Sequence, residues 1–383
     1  MAPPIVFLGI AEWHAMPQRS HHLARLMSAS HRVLYVNPCY YSAFGFARDT
    51  LLGRRRRRKV YGLEPVTPSL HVASLPPLIP KGLDVPGLGR LNYRLLLPLL
   101  RRTMRELGVP RPILWVSLPP DRALAGRLDE SLVVYDCMDR HAAFRRGPAA
   151  RRLAREEEKL LRQCDVVLAS SSGLEARCSQ FNDHVYLVRN GVDAAWFQTQ
   201  ARRSLPPLRS GNAKQRVLAY VGTVGPWVDV DLLVEVAKAH PQETLVLIGP
   251  VQADLSNLVS LGNVQVLGER PYEDVPGLLA QVAVCLLPFR LNEVTQDVNP
   301  IKLYESFSLG KPVVTTGLPE VEAYRDVAYV AHSTSDFLSG VNRALGEDDD
   351  ELRRRRKQIA AENTWALRAQ QILGILSTHL NRK

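Results

Sequence analysis

Cysteine is scarce and badly placed for crosslinking in this chain of 383 residues. The five cysteines, at 39, 137, 164, 178 and 285, are odd in number, scattered, and nowhere spaced as CxxC. That argues against a disulfide framework and against a zinc site, and it favours a reducing cytosol. No apolar run approaches the roughly 20 residues of a membrane-spanning helix. The opening residues 1–10 lack a basic n-region and carry only a short apolar run, so they are expected to form a first strand and not a signal peptide. A serine nucleophile elbow, an HExxH pair and a Walker lysine motif are all missing, which removes three common chemistries. Acidic residues are the scarcer charge, 38 against 49 basic, for a net charge of +11.

The basic excess is clustered. Arg54, Arg55, Arg56, Arg57 and Arg58 with Lys59 form one run, and Arg101, Arg102 and Arg105 follow. Arg145, Arg146, Arg151 and Arg152 make a second group, and 353–357 a third that an acidic run at 347–351 partly offsets. Such runs form solvated faces or meet anionic lipid or nucleic acid. The clusters have no interleaved aromatics and no recognised nucleic-acid module, which sets nucleic acid aside.

Strand-like apolar runs alternate with helical patterns from end to end. Strands are expected at 5–9, 31–37, 71–74, 113–117, 131–136, 166–170 and 185–188, with helices at 20–29, 91–107, 121–128, 148–164 and 173–179. Residues 42–65 read as irregular. A polar break at about 198–215, with Pro206-Pro207 and Ser210-Gly211-Asn212, is the expected domain boundary. A second series follows, with strands at 217–221, 244–248, 264–267, 284–287 and 313–316 and helices at 230–239 and 275–281. Two βα series of similar size predict two parallel-sheet domains with a crevice between them, and ligands bound beyond the carboxyl ends of the strands.

Residues 299–314 hold the most informative pattern. Asn299 suits a helix N-cap, Pro300 the first helical position, and Gly310 a left-handed stop before Pro312. Lys302 is out of place, because a cation in the first turn opposes the helix dipole by about 0.3–1 kcal/mol. It becomes reasonable if backbone N–H groups and the ammonium hold an anion together. Glu305 lies one turn on, on the same face. An ammonium and a carboxylate there would suit a phosphate joined to a hydroxyl-rich sugar, or would pair weakly at the surface. Glycines directly after strands, at Gly222-Thr223, Gly249 and Gly268-Glu269-Arg270, outline a pocket with that helix start. At the end of the 131–136 strand, Asp136, Asp139 and His141 are candidate general bases, or else caps and partners of nearby arginines.

These residues resemble nucleotide-sugar glycosyltransferases of the GT-B fold, of the bacterial exopolysaccharide and teichuronic-acid type that includes xanthan glucuronosyltransferase-like enzymes. The likeness rests on 19–24, 134–139, 188–193, 220–223, 267–272 and 299–314, and spans nearly the whole chain. It implies an α/β protein with an acceptor domain at 1–200, completed by a returning helix at 365–383, and a donor domain at 215–364. By that resemblance Lys302 and the N–H groups at 299–301 hold the donor diphosphate, and Gly222 and Thr223 line it. Glu305 sits near the ribose or sugar, Glu269 and Arg270 near the base, and Phe289 against the nucleotide. Asp139 matches the base of inverting relatives, and the EX7E pattern of retaining ones is altered, since Asp297 stands at its first acidic position. His14 and Arg54 to Arg58 are assigned to the acceptor or to an anionic membrane surface. The implied activity is sugar transfer from a nucleoside diphosphate, UDP by preference, to a lipid-linked or polysaccharide hydroxyl at the inner face of the plasma membrane. No metal or other cofactor is expected. A nucleotide-sugar epimerase or hydrolase, and a basic nucleic-acid-binding protein, remain the alternatives.

Overall fold

The computed structural model describes residues 2–38, 62–75, 88–208, 215–347 and 349–382. The chain forms two compact units, Met1–Val188 with Ala369–Lys383, and Arg189–Arg368.

The first unit is built on strands β1 (Ile5–Leu8), β2 (Val33–Val36), β3 (Gly62–Thr67), β4 (Leu70–Ser74), β5 (Ile113–Val116), β6 (Leu132–Cys137), β7 (Val166–Ala169) and β8 (Val185–Leu187). Their order in the sheet is β3-β4-β2-β1-β5-β6-β7-β8. All pairs are parallel except β3 with β4. Every residue of β1, β2, β5, β6 and β7 is buried, because helices cover both faces of a parallel sheet. That is why these strands are continuous apolar runs in the sequence. β3 was not foreseen, and its first four residues fall at the end of the 42–65 stretch read as irregular. It is an edge strand, mostly exposed, with Glu64 and Pro65 in its middle, and an edge tolerates both because one side of its backbone faces water. The helix expected at 91–107 runs Leu88–Glu106, straight through an outward-facing Pro98.

The second unit holds β9 (Val217–Val221), β10 (Thr244–Ile248), β11 (Val264–Gly268), β12 (Val284–Leu287), β13 (Val313–Thr316) and β14 (Tyr329–Ala331). The order β11-β10-β9-β12-β13-β14 is parallel throughout. Counted within the unit this is 3-2-1-4-5-6, the doubly wound arrangement in which a crevice opens where the order reverses, between β9 and β12. β14 is a three-residue edge strand that the apolar pattern did not disclose.

The units divide at Val188 and Arg189, ahead of the polar stretch at 198–215. The helix Ala194–Gln200 explains the difference, since its Ala194 and Phe197 are buried in the core of the second unit. The final helix Trp365–Leu380 returns the chain to the first unit. There the Tyr186 hydroxyl lies 2.8 Å from His379 Nε2, and Gln371 Nε2 donates to the Leu187 carbonyl at 2.9 Å. No helix among the described residues is long and apolar enough to cross a membrane.

One buried ion pair ties the first unit together. Arg19, at the start of the helix Arg19–Met27, donates from Nε to both Asp136 oxygens at 2.9 and 3.1 Å and from Nη1 to the Val188 carbonyl at 2.8 Å. Both side chains are almost wholly buried. Removing one partner leaves the other as an uncompensated buried charge, which costs about 3–5 kcal/mol. Arg19→Leu is therefore expected to destabilise the chain by about that amount in urea unfolding. A loss below about 1 kcal/mol, the range of an exposed pair, would show that the pair carries no structural load.

Candidate functional site

The carboxyl edge of the second sheet gathers the three glycine turns. Gly222 N donates to the Ile248 carbonyl at 2.7 Å, Gly249 N to the Gly268 carbonyl at 2.8 Å, and Val224 N to the Pro250 carbonyl at 2.8 Å. The loops after β9, β10 and β11 are thus joined side by side on one flank of the switch point. Gly222 has φ +140° and Gly249 φ +141°, values that L side chains rarely adopt. A Cβ on Gly249 would stand 2.2 Å from the Gly222 oxygen, and one on Gly222 would stand 1.9 Å from Lys302 Cε. The Lys302 side chain therefore lies across the Gly222 backbone. Its ammonium makes no hydrogen bond or ion pair among the described residues.

Lys302 is the second residue of the helix Ile301–Ser308, and no side chain caps that helix start. This corrects the expectation for Asn299. The N-cap is Pro300, and the Asn299 side chain is spent on tertiary contacts. Its Oδ1 accepts from Asn190 N at 3.0 Å, and its Nδ2 donates to the Tyr304 hydroxyl at 3.1 Å and to Glu320 at 3.2 Å. Asn190 Nδ2 returns a bond to the Asn299 carbonyl at 2.7 Å, and Arg189 Nε holds Glu320 at 2.8 Å. Asn299 anchors the approach to the helix and leaves its first-turn N–H groups to other partners. Gly310, at φ +70°, ends the segment in the left-handed conformation expected of it.

Glu305 is buried, with 8% of its surface exposed, and takes a 3.3 Å hydrogen bond from the Tyr272 hydroxyl. Burial raises its pKa, against the opposing effects of the Lys302 charge and that hydrogen bond. Asp297 is likewise buried, at 5%. Thr223 is half-buried, and its carbonyl accepts from the Tyr220 hydroxyl at 2.9 Å. Glu269 and Arg270 are exposed. Phe289 belongs to the hydrophobic core, with 7% of its surface left, which leaves little ring surface for a ligand. Asn190 and Tyr272 escaped the sequence reading, although both lie in stretches it had marked.

In the first unit the three candidate bases separate. Asp136 is committed to Arg19, a partner 117 positions away that local sequence could not disclose. His141 is buried, and its pKa is lowered, chiefly by that burial. Asp139 is half-buried, with no side-chain hydrogen bond or ion pair among the described residues, and burial raises its carboxyl from 3.8 to about 7. A carboxylate in that state is a proton acceptor matched to neutral pH. His14 is exposed and lies 2.9 Å from Glu64 Oε2, a weak surface pair. Arg54 to Arg58 lie outside the described residues.

Residues 215–347 match the family model described as Glycosyl transferases group 1. The chain is 27% identical over 287 residues to a protein of Bacillus subtilis (strain 168) named as a teichuronic acid biosynthesis glycosyltransferase, TuaH, across 69% of this chain and 71% of the relative. Among solved structures it resembles a sucrose-phosphate synthase from Thermosynechococcus elongatus, with TM-score 0.74, 14% identity and all of both chains covered. It also resembles the E. coli structure titled trehalose-6-phosphate bound with UDP-2-fluoro glucose, with TM-score 0.70, 12% identity and 97% of each chain covered. The fold is GT-B, and the match to the group 1 glycosyltransferase model lies wholly within the second unit.

The glycine at 222 makes a sharp test of this geometry. Gly222→Ala must both strain the backbone, at about 1–3 kcal/mol, and push the Lys302 side chain aside. Thermal denaturation is expected to show that loss, and reductive methylation should reach the displaced Lys302 faster. An alanine variant as stable as the parent, with unaltered Lys302 reactivity, would contradict the close approach.

Proposed function

We propose that this glycosyltransferase, a group 1 domain on a GT-B scaffold, moves a sugar from a nucleoside diphosphate donor to a hydroxyl acceptor. The observation that carries the reading is the Lys302 ammonium, without a hydrogen bond or ion pair among the described residues, laid over Gly222 at the β9/β12 switch point beside a helix start that no side chain caps. Together they offer a charge, a dipole and free backbone donors to a leaving diphosphate. Glu305, held by Tyr272, lies one helical turn further and contacts the ribose or sugar. Glu269 and Arg270, exposed beyond β11, serve the base. The E. coli neighbour's title names a UDP sugar, which supports UDP as the donor nucleotide. Lys302 supplies positive charge to the departing diphosphate.

The acceptor belongs to the first unit. Asp139, with no side-chain partner among the described residues and a carboxyl pushed up to about 7 by burial, removes the proton of the attacking hydroxyl, and the anomeric centre inverts. The relative's name refers to teichuronic acid biosynthesis, which supports a lipid-linked or polysaccharide precursor as acceptor. The enzyme would then work in the cytoplasm at the inner face of the plasma membrane, against its anionic surface.

Asp139 sets the pH dependence. Its folded-state pKa lies above the ordinary 3.8, so between about 4 and 7 the folded chain holds a proton the unfolded one has lost. Stability from this group declines as pH rises through that window, whereas the base is competent only above it. The expected kcat/KM falls below pH 7, tenfold per unit, with a product of inverted anomeric configuration. Asp139→Asn should lose that acid limb and at least about a hundredfold in kcat, while its thermal shift with UDP is retained. Full activity in the variant, or a product of retained configuration, would remove Asp139 as base.

A further inference from the structure

Close to Asp139 in sequence lies a strongly basic stretch. Residues 140–155 contain six arginines and no carboxylate. The glutamates that follow are engaged elsewhere. Glu156 pairs with Arg122 at 2.8 Å and Lys159 at 3.0 Å, Glu157 with Arg177 at 2.9 Å, and Glu158 with Arg162 at 3.1 Å. Arg145, Arg146, Arg151 and Arg155 are exposed and make no ion pair among the described residues. Arg145 and Arg146 lead into the helix Gly147–Gln163, which has no acidic residue in its first turn, and Arg151 and Arg155 follow on its second and third turns. Cations there oppose the helix dipole and one another, an arrangement that an external anion relieves.

Apolar side chains stand among these charges. Phe144 is 46% exposed immediately before Arg145 and Arg146. The neighbouring helix Leu88–Glu106 presents Leu91, 42% exposed, and Leu95, 55% exposed, with Arg94 between them. Both helices pack on the turn Pro119–Leu124. Both cross back between parallel strands, so their N-termini lie at the carboxyl edge of the sheet, the edge that carries Asp139. A soluble anion would satisfy the arginines and leave the rings and leucines in water. A bilayer interface takes both, with guanidinium groups at the phosphates and apolar side chains in the acyl boundary.

We propose that Phe144, Arg145, Arg146, Arg151 and Arg155, with Leu91 and Leu95, form the face by which the first unit docks on an anionic phospholipid surface. The proposal rests on the membrane reading of the acceptor and goes further, since it places the contact on described residues next to the proposed base. Each arginine near a charged bilayer strengthens binding severalfold.

The test is sedimentation of the full chain with phosphatidylcholine vesicles made with and without phosphatidylglycerol. The parent should bind only the anionic vesicles. Reversal of Arg145, Arg146, Arg151 and Arg155 to Glu should weaken that binding by more than about tenfold. All four sites are exposed and glutamates at 145 and 146 suit the helix dipole, so this variant should fold, and circular dichroism checks it. Phe144→Ser should remove the part of the binding that survives high salt. Arg353→Glu with Arg354→Glu, a change at arginines already paired with Asp350 and Glu351, should leave vesicle binding within about twofold. Equal binding of the reversed variant and the parent overturns the proposal. So does loss of vesicle binding to millimolar pyrophosphate, which would mark a soluble-anion site. Tighter binding to a duplex oligonucleotide than to vesicles, with Phe144→Ser silent, would mark a nucleic-acid face and also overturn it. A chain that binds anionic vesicles yet shows no thermal shift with any nucleoside diphosphate keeps this face and loses the donor reading instead.

Discussion

An ammonium lying across a glycine backbone is the constraint on which the site depends. Lys302 reaches the end of β9 only because residue 222 has no side chain, and Gly222 can hold its φ of +140° for the same reason. Gly249 repeats the device one strand over, where a Cβ would strike the Gly222 carbonyl. The two glycines pack the loops after β9 and β10 tightly enough for one helix start and one lysine to serve both. A crevice at a topological switch point is a property of the sheet order. At this one the Lys302 ammonium makes no hydrogen bond or ion pair among the described residues, and its charge acts on Glu305 one turn along the helix.

The first unit handles two neighbouring carboxylates in opposite ways. Asp136 is held by Arg19 and is part of the scaffold, whereas Asp139, three residues on, is desolvated with no side-chain partner among the described residues. Glu305 shares the burial of Asp139 but has a tyrosine hydroxyl and a nearby cation to steady it. Burial alone therefore does not mark a catalytic acid or base. The distinction lies in whether burial is compensated, and only Asp139 among these has none among the described residues.

Much of the fold was legible in the sequence because parallel strands covered on both faces must be apolar at every position. β1 and β5 are four consecutive buried residues each, and they stand out as such. β3 did not, since an edge strand obeys no such rule, and β14 is too short to register. At the site, the lysine's misfit with the helix dipole and the glycines after strands were visible locally. The cap at Asn299 was misjudged because tertiary bonds to Asn190 and Glu320 outweigh the local capping preference. The choice between Asp136 and Asp139 lay beyond local sequence, since it turns on an arginine more than a hundred positions upstream.

The central claim is that Lys302 holds the donor diphosphate. Calorimetric titration with UDP and with uridine, on the parent chain and on Lys302→Met, isolates that contribution. The parent should prefer UDP to uridine strongly. In Lys302→Met the preference should fall by about 10- to 100-fold, as expected for the loss of one charge-assisted contact, with uridine affinity unchanged. An undiminished preference for UDP in the variant would contradict the account.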